Sequence, residues 1–90
     1  MADATPMDAH TLGLFALATA VSDERRAQRF LDLTGIGTDE LREQAAEPAL
    51  LAALLRFLEA HEPDLLAVAE TMNVKPEALV AARRELEEDE

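Results

Sequence analysis

The stretch Pro48-Ala-Leu-Leu-Ala-Ala-Leu-Leu-Arg-Phe-Leu-Glu59 decides the fold. Its large apolar residues, Leu50, Leu51, Leu54, Leu55, Phe57 and Leu58, recur at helical spacing but fill more than one stripe. A helix that is apolar on more than one side has to be covered on more than one side. The segment therefore predicts the central, most buried helix of an all-α fold. Pro48 suits its first position, where the N–H that proline lacks has no intrahelical partner anyway.

Downstream, Pro63 repeats the same signal and opens a fifth helix that buries Leu65, Leu66, Ala69 and Met72. Asn73 ends it. Pro76 opens a sixth helix with Leu79, Val80, Ala82 and Leu86 as its apolar set. Upstream, Thr38 reads as the N-cap of a short third helix reaching Ala46, with Asp39 and Glu40 behind it. Gly35 stands where a left-handed C-terminal glycine closes the second helix. That helix starts from Ser22 as N-cap, with Asp23 and Glu24 in its first turn and Ala27, Phe30 and Leu31 facing inward. The first helix runs from about Asp8 to Val21, with Leu14, Leu17, Ala18 and Val21 on one face. Residues 1–7 fray, and Glu87 to Glu90 form a solvated acidic tail.

These segments predict one domain over residues 1–90, a compact orthogonal bundle of five to six short helices with helix-turn-helix-like hairpins. The expected core is Leu14, Leu17, Val21, Phe30, Leu31, Ile36, Leu41, Leu51, Leu54, Leu55, Leu58, Leu66, Ala69, Met72, Leu79 and Leu86. Composition agrees. Hydrophobic residues make up 49% of the 90 residues, and Ala and Leu dominate them. Both favour helices. Trp and Tyr are absent and Phe occurs three times, so the residues that strands favour are scarce.

Nineteen acidic and eight basic residues leave a net charge of -11. Phosphate backbones and anionic lipid surfaces repel such a chain, so nucleic acid is an unlikely partner and no membrane is expected. The apolar run Leu12 to Val21 is too short to span a bilayer, and Asp3 and Asp8 precede it where a secretory signal would be basic. With no Cys there is no disulfide and no thiolate chemistry. A cytoplasmic location is the expectation.

Several motifs carry a possible chemistry. Phe30 to Leu41 resembles a helix-hairpin-helix, whose Gly-hydrophobic-Gly turn approaches a DNA phosphate. Asp39 and Glu40 stand where that phosphate would sit, so Gly35-Ile-Gly37 reads better as a tight turn with Ile36 in the core. Leu65 to Leu86 resembles a helix-turn-helix, with Ala69 at the crossing and Asn73 in the turn. Its second helix offers Lys75, Arg83 and Arg84 against Glu77, Glu85, Glu87 and Glu88, and no Asn or Gln for base edges. Arg25, Arg26 and Arg29 form the one dense basic cluster. They can hold an acidic partner or pair within the chain. His61, with Glu59, Glu62 and Asp64 nearby, lacks the second His or Cys that a metal site needs, so no metal or cofactor is expected. His10 lies near the frayed start. Ser22 is the single Ser and is explained as a cap. No nucleophile, phosphate loop or acid–base pair is evident, so catalysis is not expected.

The pattern Arg29-Phe30-Leu31, Leu33-Thr34-Gly35, Leu41-Arg42, Phe57-Leu58, Glu62, Pro76 and Ala82 resembles a small bacterial family, domain of unknown function 3572. The resemblance spans roughly Thr11 to Leu86. It implies a free-standing helical protein and carries no activity, cofactor or catalytic residue to transfer.

The function expected is therefore a protein-protein interaction or regulatory adaptor module, its partner unidentified or a second copy in a homodimer. Leu50, Phe57 and Leu65 exceed what one bundle face requires. With Arg25, Arg26 and Arg29 they form the expected partner surface. The alternative is a nucleic-acid module using residues 65–86 through Lys75, Arg83 and Arg84.

Overall fold

A computed structural model of the chain describes residues 8–88. Among these, six helices follow one another: α1 Ala9–Val21, α2 Glu24–Thr34, α3 Thr38–Gln44, α4 Pro48–Glu59, α5 Glu62–Met72 and α6 Pro76–Glu88. The described residues hold no strand. The all-α bundle expected from the sequence is the fold observed.

α4 is the centre, as its crowded apolar pattern required. Leu51, Leu54, Leu55 and Leu58 are wholly shielded from water. α1, α5 and α6 pack around it, and α6 also lies against α1. Val68 and Ala69 of α5 and Leu79, Ala82 and Leu86 of α6 complete the core. Burying each such Leu removes it from water at a gain of about 2 kcal/mol.

α1 turns a different face inward from the one expected. Ala9, Gly13, Ala16, Leu17 and Ala20 are buried, whereas Leu14 and Val21 are half-buried and Ala18 is exposed. The reason is distance. A β-carbon placed on Gly13 would stand 3.1 Å from Leu51 Cβ and 3.3 Å from Leu86 Cδ1. The stripe of small residues lets α1 press close to α4 and α6, which larger side chains would prevent. α5 shows the same kind of offset. Its inward stripe is Leu65, Val68, Ala69 and Met72, so Leu66 falls off the face and is 48% exposed rather than in the core.

Helix ends follow the sequence with small corrections. Asp23, not Ser22, caps α2: its side chain accepts the Arg26 N–H at 3.0 Å. Ser22 closes α1 and donates its hydroxyl to the Thr19 carbonyl. Gly37, not Thr38, precedes α3, with no side-chain cap. Gly35 is left-handed with φ 77°, and Asn73 ends α5 with φ 60°, as each was expected to do. α6 continues through Glu88, so Glu87 is helical rather than part of a loose tail. The expected fraying of residues 1–7 lies outside the described residues, as do Asp89 and Glu90. His10 belongs to α1, and its Nε2–H donates to the Ala46 carbonyl at 2.7 Å.

α2 and α3 stand apart from this core. Phe30 is the single buried residue of α2, and α3 buries none. Together they form an arm laid against the bundle.

Candidate functional site

Besides the half-buried Ile36, Leu41 and Ala45 packed on the core, the arm is anchored by one ring and one carboxylate. The Phe30 ring meets the Phe57 ring of α4 edge to face, with centroids 5.4 Å apart and planes at 64°. That geometry sets the positive ring edge on the negative ring face. The Arg29 guanidinium covers the Phe57 ring at 5.4 Å, within cation–π range.

The carboxylate is Asp64, in the first turn of α5. It is the single buried charged side chain among the described residues, 6% exposed. Arg26 Nε donates to Oδ1 at 3.0 Å. Arg29 Nη2 and His61 Nδ1 both donate to Oδ2, the latter at 2.9 Å. Arg26 and Arg29 lie three residues apart on one face of α2, so both reach the same acceptor. A buried carboxylate needs such partners to remain charged away from water.

A second network joins α4 to α6. Arg83 grips Glu59 with two N–H groups, at 2.6 and 3.2 Å, and gives a third to Glu87 at 3.0 Å. Arg56 contacts Glu87 from α4. The hydrogen bonds that Arg83 donates to Glu59 and Glu87 raise its pKa above the usual value. For Glu87, desolvation pushes the carboxyl upward, but the bonds from Arg83 and Arg56 outweigh it and hold its pKa below the usual 4.5.

These networks place the residues singled out from the sequence. Arg26 and Arg29 pair within the chain, with Asp64 more than thirty residues away. Arg25 is exposed and lines a groove with Val21, Ala27, Leu31 and Thr38. Leu50 and Phe57 are buried, 7% and 9% exposed, and Leu65 is half-buried, so the apolar surface expected from them is not there. Phe57 is covered by the arm itself, and Leu50 by the packing around α4. Arg83 is committed to two carboxylates. Lys75 and Arg84 are exposed and without an ion pair among the described residues.

The apolar side chains that do reach water are others. Leu33 is 72% exposed and Phe15 53%. Leu33 shares a shallow hollow with Arg29, Asp32 and the edge of Phe57. Phe15 sits beside Thr19, Thr71 and Met72. Sequence reasoning missed both; for Phe15 the reason is that α1 is apolar on all sides, so its periodicity does not say which side chain is left over. The described residues contain no cluster of three His, Cys, Asp or Glu placed to hold a metal. No helix among them is long and apolar enough to cross a membrane.

The fold and its surface define a small acidic helical-bundle protein with an arm held by a buried Asp–Arg–Arg–His cluster. The family described as protein of unknown function (DUF3572) matches residues 6–89, and the chain belongs to that family. No curated protein and no solved structure matches it.

Proposed function

We propose that this protein is a non-catalytic protein-protein interaction module whose working surface is the α2–α3 arm. The observation that carries the reading is Leu33, 72% exposed at the end of α2 beside an apolar hollow over Phe57. A large apolar side chain in water contributes nothing to the stability of the isolated chain, and a partner that covers it gains its burial. The internal pairing of Arg26, Arg29, Arg56 and Arg83 points the same way. These guanidiniums serve the fold and leave few cations for phosphates.

The test is affinity purification of the tagged chain from its native lysate, with and without nuclease. A near-stoichiometric protein that survives nuclease is the expected result. Recovery of the chain alone, or of nuclease-sensitive material only, defeats the reading.

A further inference from the structure

The outer part of the arm, residues 31–47, combines three features. It carries Asp32, Asp39, Glu40, Glu43 and Glu47 against Arg42 alone, a net charge of -4 in a short stretch. All five carboxylates are exposed. Asp39 reaches Arg42 at only 4.0 Å with both side chains almost fully in water, where a pair contributes little. Asp32 and Glu40 take neutral amide hydrogens from Gln28 and Gln44. None of the five meets a cation outside the arm among the described residues. Elsewhere Asp64, Glu59 and Glu87 are each matched to guanidiniums.

Second, an apolar side chain stands among these acids. Leu33 is exposed beside Asp32, whereas Leu31 lines the groove with Arg25, and Ile36 and Leu41 pack against the core. Third, the turn between α2 and α3 is bare. Gly35 requires glycine because its φ is 77°. Gly37 does not, since its φ of -89° and ψ of 171° suit any residue. A β-carbon at Gly37 would meet nothing within 4 Å. Glycine is well suited to the N-cap of α3, where Gly37 stands, and its absent side chain leaves the main chain open to close approach from outside.

We infer that residues 31–47 dock a cationic segment of another protein, with Lys or Arg interleaved with large apolar residues. The inference rests on the interaction reading above and names the partner's chemistry. Charge complementarity selects the occupant. Nucleic acid and anionic lipid are repelled by this face, and a second copy would bring the same -4 face, or a chain of -11, against it. The acids draw the cations and set orientation, while Leu33 and the hollow beside it supply apolar burial.

The probe is a synthetic sixteen-residue amphipathic peptide of Leu and Lys, titrated into the 15N-labelled protein. Shift changes confined to residues 31–47 and the facing edge of Phe57 are expected. Leu33→Asp and the pair Glu40→Lys, Glu43→Lys each weaken binding roughly tenfold. Leu66→Asp and Glu70→Lys, an exposed Leu and an exposed acid on α5, leave it unchanged. All are exposed positions, so folding is preserved. Shifts spread evenly over α5 and α6, no binding, or equal loss in the α5 controls overturns the proposal. The same variants in the affinity purification separate two failures. A partner retained equally by wild type and Leu33→Asp keeps the interaction reading and overturns this site. No partner with wild type defeats the reading and the site together.

Discussion

Along α4, seven of twelve residues are buried; along α2 one of eleven is, and along α3 none of seven. The two regions are held in place by different physics. α4 is fixed by apolar volume on several sides, so no single contact specifies it. The arm adds only partly buried apolar contacts, Ile36, Leu41 and Ala45, to a few directed ones, chiefly Phe30 on Phe57 and two guanidiniums on Asp64. Volume-packed elements open only with the whole domain, whereas elements on few anchors open locally. The arm is therefore the part expected to open locally while the bundle stays closed.

The largest expected effect breaks the core side of that contrast. Leu54 is wholly buried, and Leu54→Ala leaves a cavity at the centre of the bundle. It is expected to destabilise by about 3 to 4 kcal/mol, a large share of a small domain's margin. Urea unfolding followed by circular dichroism measures it. Leu33→Ala on the arm is expected to stay within about 0.5 kcal/mol of wild type. Similar losses at the two positions would erase the distinction.

Next in size is Asp64→Asn, which breaks the arm side. Arg26 is 15% exposed at its side chain, so it loses its charge partner with little water to replace it. Arg29, 46% exposed, recovers more of its solvation. Removing the carboxylate charge is expected to cost about 2 kcal/mol in total. More telling than the total is its place. Amide hydrogen exchange is expected to speed up in α2 and α3 while α4 and α6 keep their protection. Uniform loosening would mean that arm and bundle form one cooperative unit.

How much of this was legible in the sequence follows the same division. Density of apolar residues identified α4, and proline, glycine and asparagine marked the helix boundaries, because those signals are local. The close packing of α1 was hidden, since Gly13 and the alanines look weak beside Leu14 and Val21. Their value lies in the distance they permit to Leu51 and Leu86, residues far along the chain. The spare apolar surface was misplaced for a related reason. Leu50 and Phe57 were counted as surplus on α4, but the arm covers Phe57, and the surplus surfaces instead at Leu33 and Phe15. The cluster Arg25, Arg26 and Arg29 left open whether its cations hold a partner or pair within the chain. Nothing local said that the acceptor was Asp64, read from sequence as one acid among several in a loop.

The smallest effect sharpens the comparison through acid. Asp8 caps α1 and Asp23 caps α2, each accepting a backbone N–H three residues on, at 2.8 and 3.0 Å. Those bonds, from Thr11 and Arg26 respectively, lower both pKa values below the usual 3.8. A lowered folded-state pKa means stability that is complete above 3.8 and is lost as pH falls through the lower folded value. The two caps are alike, but what lies behind them is not. α1 has a buried stripe to hold its first turn, with Ala9 and Gly13 in it, whereas α2 buries nothing before Phe30. On acidification the 13Cα shifts of residues 24–27 are expected to lose helical character while those of residues 9–12 keep it. Asp23→Asn retains the capping oxygen without the titration and is expected to flatten the pH response of α2. If α1 and α2 fray together, or the Asn variant responds as wild type does, the arm's first turn depends on tertiary contacts rather than on its own cap.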